Sequence, residues 1–203
     1  VIPEGVSRRF RPSACELRRP PSAPARILHV GHCGFYKNME AVLWALPAIA
    51  RKLGRSVELV KVGGRFTPDQ IALISRLRIG DQVRHLGTLP EEELPRAYRS
   101  ADLLLMPSLH EGFGLPVLEA CSRGAPVLCA DIPALRELAA GVAGFVAAGD
   151  ALEWARAISA LASDPARAAV MREAGVRMAA AHDYARTAGE VLEVLRQVLR
   201  NTN

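Results

Sequence analysis

Long hydrophobic runs are missing from this chain of 203 residues, and none of its apolar stretches approaches the length that crosses a bilayer as a helix. Aromatic residues make up only 5%. No basic segment is interleaved with them, so the stacking platform and charge pattern of a nucleic-acid binder are lacking. Lysine is nearly absent as well. Lys37, Lys52 and Lys61 are the only three, and arginine carries the formal charge of +5. Such a balance suits anionic lipid or a diphosphate better than nucleic acid. The four cysteines, at 15, 33, 121 and 129, show no paired CxxC spacing, which disfavours zinc and disulfides and points to reduced thiols in the cytoplasm. With 50% hydrophobic and 23% charged residues, the composition excludes a disordered chain. There is no internal repeat and no low-complexity run beyond a general richness in alanine.

The length allows one well-buried core and a tail, and is short for two full domains. Short apolar runs alternate with amphipathic stretches along the chain. Strands are expected at 26–30, 56–62, 82–86, 102–106, 125–130 and 144–146, the last at an edge. Helices are expected at 39–53, 67–77, 91–100, 117–123, 134–138, 151–163, 165–181 and 184–200. Pro47 should kink or end the first of these, and the acids at 91–93 should sit in the first turn of the third. Strands separated by helices require crossover connections and a parallel sheet covered on both faces. The predicted class is α/β, a Rossmann-like parallel sheet with helices on both faces, over residues 26–183.

The most informative stretch is 110–119, His-Glu-Gly-Phe-Gly-Leu-Pro-Val-Leu-Glu. The apolar run at 103–106 leads into it as a buried strand, Pro107 and Ser108 stop that strand, and Pro116 suits a first helical turn. Gly112 and Gly114 permit a tight turn and close approach of the backbone to a ligand. The helix start offers unpaired N–H groups and a partial positive charge, suited to a phosphate. Glu111 and Glu119 lie eight residues apart on different elements, so their roles must differ. Aimed at hydroxyls, carboxylates accept hydrogen bonds of the kind a ribose and a hexose offer. A tight turn with two solvated glutamates is the alternative.

A second loop, 31–38, follows the first strand. Gly31 opens it, Asn38 can cap the next helix, and Lys37 places a cation beside that helix start. Gly63 and Gly64 permit close approach after the second strand. Arg65 behind them either reaches a phosphate or sugar, or is a solvated loop residue.

Glu111, seven residues and Glu119, with Gly-Phe-Gly between them, resembles the Glu-x7-Glu motif of the retaining glycosyltransferases of family 4 type (glycosyl transferases group 1), which include sucrose synthases and bacterial mannosyltransferases. The similarity runs over nearly the whole chain. It implies the C-terminal, donor-binding half of a two-domain GT-B fold. The segment Val-Ile-Pro-Glu-Gly-Val at 1–6 is similar to the end of the family's interdomain linker, with Ser7 in place of the usual aspartate. Residues 1–25 are therefore expected to be a hinge, their proline-rich part an extended connector, with an N-terminal acceptor domain of the same parent chain as partner. The helix at 184–203 is expected to cross back to that domain, leaving a stripe of Val191, Leu192, Val194, Leu195, Val198 and Leu199 exposed without it.

The resemblance also assigns roles. Lys37 matches the lysine that grips the diphosphate, while Tyr36 and His32 stand where arginines are frequent. Phe113, Gly114 and Leu115 would offer amides to the diphosphate, with Gly31 lining the same site. Glu119 would take the ribose, and Glu111 a hydroxyl of the transferred sugar near the reacting centre. His110 could contact the sugar or simply pack. Leu86, in the turn at 86–92, would border the base. The implied donor is a nucleotide-diphosphate sugar such as GDP-mannose or a UDP-hexose, with no metal and no further cofactor. The implied acceptor is membrane-borne or a polysaccharide, reached from the cytoplasm at the inner membrane face. The fragment alone is expected to be inactive. Two rivals are a module that binds nucleotide sugars without transferring them and a dinucleotide-dependent oxidoreductase. Against the latter, Gly-His-Cys-Gly-Phe-Tyr at 31–36 does not spell the full glycine fingerprint, and no acidic residue directly follows the second strand.

Overall fold

The structure, a computed structural model, describes residues 4–10 and 23–201. The expected hinge therefore falls partly outside the described residues, at 1–3 and 11–22. Six strands, β1 (Ala25–Val30), β2 (Val57–Val62), β3 (Val83–Gly87), β4 (Leu103–Met106), β5 (Val127–Ala130) and β6 (Gly144–Val146), form one sheet in the order β3-β2-β1-β4-β5-β6. Every pairing is parallel. β1 lies in the interior of the sheet, with Ile27 paired to Leu59 on one side and to Leu103 on the other.

Successive residues of a strand point to opposite faces, and here both faces are covered. Ile27, Leu59 and Leu103 pack beneath α1 (Met39–Leu53) and α6 (Ala151–Ala162). Leu28, Val60 and Leu104 pack on the other side, with α3 (Leu94–Arg99), α4 (Leu115–Ser122) and α5 (Pro133–Ala139). This double covering explains why β4, Leu-Leu-Leu-Met, has no polar alternation and is buried throughout. α2 (Pro68–Leu77) is entered through a capping box, Thr67 accepting from the Gln70 amide while the Gln70 side chain accepts from the Thr67 amide. α7 (Pro165–Ala180) lies against α4.

Three local expectations change. Pro47 neither ends nor divides α1, which continues to Leu53. An interior proline costs roughly 3 kcal/mol, but Leu43, Leu46 and Ile49 on the same helix are completely buried, and each such side chain returns about 1.5–3 kcal/mol. α3 begins at Leu94, with Pro95 in its first turn, the position proline tolerates. The acids at 91–93 therefore precede the helix instead of forming its first turn. α4 starts two residues earlier than expected, at Leu115, with Pro116 likewise in its first turn.

The closing helix, α8 (Tyr184–Asn201), is as expected amphipathic and exposed: Leu192, Leu195 and Leu199 are 52%, 53% and 68% accessible. No described helix is long and apolar enough to cross a membrane. The α7–α8 joint is held by the segment 4–10. The Val6 amide donates to the His182 carbonyl at 2.8 Å, and a side chain at Gly5 would strike the backbone of Asp183 and Tyr184. Phe10 is buried edge-on against Tyr98, with ring centroids 6.0 Å apart.

Candidate functional site

Parallel strands deliver their carboxyl ends to one edge of the sheet, and a cleft forms where neighbouring crossovers leave in opposite directions. Here that point lies between β1 and β4. The loops after these two strands carry Lys37 and Glu111, which meet: Lys37 Nζ donates to Glu111 Oε1 at 2.6 Å. Each side chain is only 11% accessible. An ammonium has three donors, so this pairing leaves Lys37 able to bind an anion as well.

Asn38 holds these loops together in a way the sequence reading did not foresee. Its side chain does not cap α1. Its backbone is left-handed (φ 50, ψ 41), a conformation asparagine tolerates better than most residues. The side-chain amide then donates to the carbonyls of Pro107, at 3.2 Å, and Ala148, at 2.7 Å. A single side chain in the loop that follows β1 thus ties together the loops after β4 and β6.

Gly114 precedes α4 with φ +102, and a Cβ there would come within 2.8 Å of Leu135. Gly112 has nothing within 4 Å of an added Cβ, so the loop opens outward at that point. Among the described residues the amides of Phe113, Gly114 and Leu115 donate to no protein group. Together with Lys37 they form a cradle for an anion, supported by the positive end of the helix. The Phe113 ring is tilted against the His182 ring at 6.5 Å.

Glu119 lies one turn further along α4. The fully buried Tyr98 donates its hydroxyl to Glu119 Oε2 at 2.6 Å. Burial holds the Glu119 carboxyl above the ordinary carboxylate range, and the bond from Tyr98 acts in the opposite direction. Burial and the neighbouring Glu119 likewise push the Tyr98 phenol well up. The two glutamates of the motif therefore sit in different surroundings, one against a cation and one against a phenol.

The carboxyl ends of β1, β2 and β3 are stitched through glycine backbone. The Gly31 amide donates to Val62 at 3.0 Å, Gly64 to Gly31 at 3.1 Å and Gly63 to Gly87 at 2.7 Å. A Cβ on Gly63 would lie 2.5 Å from the Gly31 carbonyl, so this approach is available only to glycine. Of the remaining candidates, His110 and Arg65 are exposed and Leu86 is half-buried near the end of β3. Sequence reasoning missed Tyr98, Lys61 and His29. Lys61 and His29 are fully buried and paired in register across β1 and β2. The signal for Lys61 lay in the alternation of β2, where it shares a face with Val57 and Leu59. His29 has no partner for either ring nitrogen among the described residues. Burial, then Lys61 and Lys37, push its pKa down to about 3, so the ring is neutral. Among the described residues no cluster of three or more His, Cys, Asp or Glu could hold a metal.

A parallel sheet of this order, with a cation and a helix start converging at its switch point, defines an open, Rossmann-like α/β domain. Residues 18–178 match the family described as glycosyl transferases group 1, and the chain belongs to that family. A D-inositol 3-phosphate glycosyltransferase of Nocardia farcinica is 34% identical over 208 residues, covering 95% of this chain and 46% of the relative. An O-antigen chain mannosyltransferase B of Escherichia coli is 36% identical over 122 residues, 59% of this chain and 32% of the relative. The chain thus spans half or less of the length of these curated relatives. Among solved structures, a sucrose-phosphate synthase of Thermosynechococcus elongatus superposes with a TM-score of 0.85 at 26% identity, covering 98% of this chain and 52% of that one. HepE of Anabaena, solved in complex with UDP and glucose, superposes with a TM-score of 0.76 at 21% identity, over 85% of this chain and 48% of that one. The six-stranded sheet with helices on both faces is the fold of one domain of GT-B glycosyltransferases.

Proposed function

We propose that this chain is the donor-binding half of a retaining glycosyltransferase that takes a hexose from a nucleotide-diphosphate sugar without a metal. The observation that carries the proposal is the meeting of Lys37 with Glu111 at 2.6 Å, beside the open amides that begin α4. A cation and free N–H groups suit a diphosphate, and a carboxylate held next to them suits a sugar hydroxyl. In the transfer, the bond from the anomeric carbon to the diphosphate oxygen breaks, and its electron pair leaves with the diphosphate. The acceptor hydroxyl forms the new bond to that carbon and gives its proton to the departing group. Lys37 and the amides of Phe113, Gly114 and Leu115 stabilise the charge that develops on the leaving diphosphate. Glu111 holds the sugar, with His110 beside it, and Glu119 takes the ribose. Leu86 borders the base, and Arg65 stands at the rim.

HepE solved in complex with UDP and glucose supports a nucleotide sugar as donor, and the relatives that are twice as long support an acceptor domain in the same parent chain. A membrane-borne or polysaccharide acceptor belongs to that other half. The test is a thermal-shift titration with UDP, GDP, ADP and their sugar conjugates, with and without magnesium. At a hundredfold excess over its Kd a ligand stabilises by about 2.7 kcal/mol, which is roughly 5–10 °C here. A shift confined to one base and indifferent to magnesium is expected, with no sugar transfer by the chain alone. Absence of a shift with every nucleotide overturns the donor assignment, and transfer by the isolated chain overturns the need for a second half.

A further inference from the structure

Two of the three lysines in this arginine-rich chain lie at the candidate site, and only one of them has a carboxylate partner. Lys37 is paired with Glu111, so those two side chains together contribute no net charge. Lys61 is completely buried, and among the described residues no carboxylate lies within 4.0 Å of its ammonium. Its Nζ donates instead to three backbone carbonyls: Gly31 at 2.6 Å, Val62 at 2.9 Å and Gly64 at 3.0 Å.

These carbonyls belong to the ends of β1 and β2, where the loops walling the cradle begin. Three acceptors converging on one point match a compact ammonium and not the planar fork of arginine, which accounts for a lysine at this place among so many arginines. Gly31 separates the two ammonium groups. Its carbonyl accepts from Lys61, while a Cβ built on its other side would stand 3.9 Å from Lys37 Nζ. A buried cation neutralised only by carbonyl dipoles is costly to keep, and an anion docking above it lowers that cost.

We infer that Lys61 is a positioning residue for the diphosphate of the donor: it clamps the Gly31 and Gly64 loops in register and sets an uncompensated positive charge beneath them. The inference rests on the nucleotide-diphosphate-sugar reading of the site and deepens it. It predicts discrimination by phosphate charge, because the charge of Lys61 acts on the anionic phosphates of the ligand and not on its neutral base and ribose. Around Lys61 stand His29, which is neutral, the thiol of Cys33 and the ammonium of Lys37. None of these neutralises it.

The test is calorimetric titration of the unsubstituted chain, Lys61→Met and Lys61→Arg with the diphosphate, monophosphate and free nucleoside of whichever base the unsubstituted chain prefers. Lys61→Met is expected to weaken the diphosphate by about ten- to a hundredfold and the nucleoside by less than about twofold. Lys61→Arg restores little, since its fork does not fit three converging carbonyls. Equal losses for diphosphate and nucleoside, or no loss for either, overturn the inference. A second measurement needs no substitution at Lys61. Side-chain NMR of isotopically labelled lysine resolves three ammonium groups, with the exposed Lys52 as internal control, identified by Lys52→Arg. Saturation with the diphosphate should raise the titration midpoint of Lys61 and leave that of Lys52 in place. An unmoved Lys61 in a chain that does bind the diphosphate overturns the inference alone. A chain that binds no nucleoside diphosphate overturns the donor assignment itself.

Discussion

The hydroxyl of Tyr98 donates to Glu119 at 2.6 Å, so the second glutamate of the motif is held by the core of the domain. A carboxyl whose pKa is higher in the folded than in the unfolded state stabilises the fold below the unfolded pKa, and that contribution disappears as pH rises through the folded value. Glu119 is such a group. Glu119→Gln keeps an acceptor for Tyr98 and removes the charge. Its Tm should exceed that of the parent by about 2–4 °C near neutral pH, with the gap closing towards about pH 4, while nucleoside affinity falls. Glu119→Ala leaves a buried hydroxyl unpartnered and should cost about 1–3 kcal/mol. Melting curves across pH check both outcomes.

Glu111 sets a negative charge beside any anion that Lys37 binds with its remaining donors. Glu111→Gln should tighten a bare nucleoside diphosphate by about tenfold, because a like-charge repulsion of roughly 1.4 kcal/mol is removed. The corresponding nucleotide sugar should gain less, since it loses its carboxylate. Lys37→Ala should weaken the diphosphate and spare the nucleoside. Titration calorimetry with all three ligands measures these differences.

Asn38 separates backbone strain from hydrogen bonding. Asn38→Gly relieves the left-handed backbone but loses the bonds to Pro107 and Ala148, for an expected cost of about 1–3 kcal/mol. Asn38→Ala adds the strain of a left-handed residue, roughly 1–2 kcal/mol more. Denaturant unfolding of the two variants gives the difference directly.

Gly112→Ala and Gly114→Ala should behave oppositely. An added methyl at Gly112 meets nothing, so its Tm should match the parent, and any loss of affinity measures how closely a ligand approaches. At Gly114 the methyl meets Leu135 on a backbone with positive φ, and a loss of about 1–3 kcal/mol is expected without ligand. Thermal melts with and without nucleotide distinguish the two.

Much of this was legible in the sequence, for physical reasons. Strands covered on both faces read as apolar runs, and prolines and glycines punctuate them, so all six strands and the loop at 110–119 could be placed. Lys37 and Glu111 could likewise be placed in the loops after two strands, but not as a pair. What escaped notice depends on packing across the sheet. Nothing in the letters Val-Lys-Val says that three carbonyls converge on Lys61, and Tyr98 reaches Glu119 only because α3 and α4 lie side by side. Pro47 misled because the burial of its neighbours outweighs a local penalty that sequence alone overstates. Asn38 misled because the turn after β1 makes it left-handed, which aims its amide away from the helix it precedes.

The order β3-β2-β1-β4-β5-β6 places the candidate site over interior strands, with β3 and β6 at the margins. β3 is only partly covered, while β1 and β4 are flanked by strands on both sides and their apolar residues are almost wholly buried. Local opening by fraying starts at such margins. Amide hydrogens of β3 should therefore exchange early and those of Ile27, Leu28 and Leu104 last, protected close to the limit set by global unfolding. The floor under the ligand would then be the part of the domain that lets go last, and breathing at the edges leaves it closed.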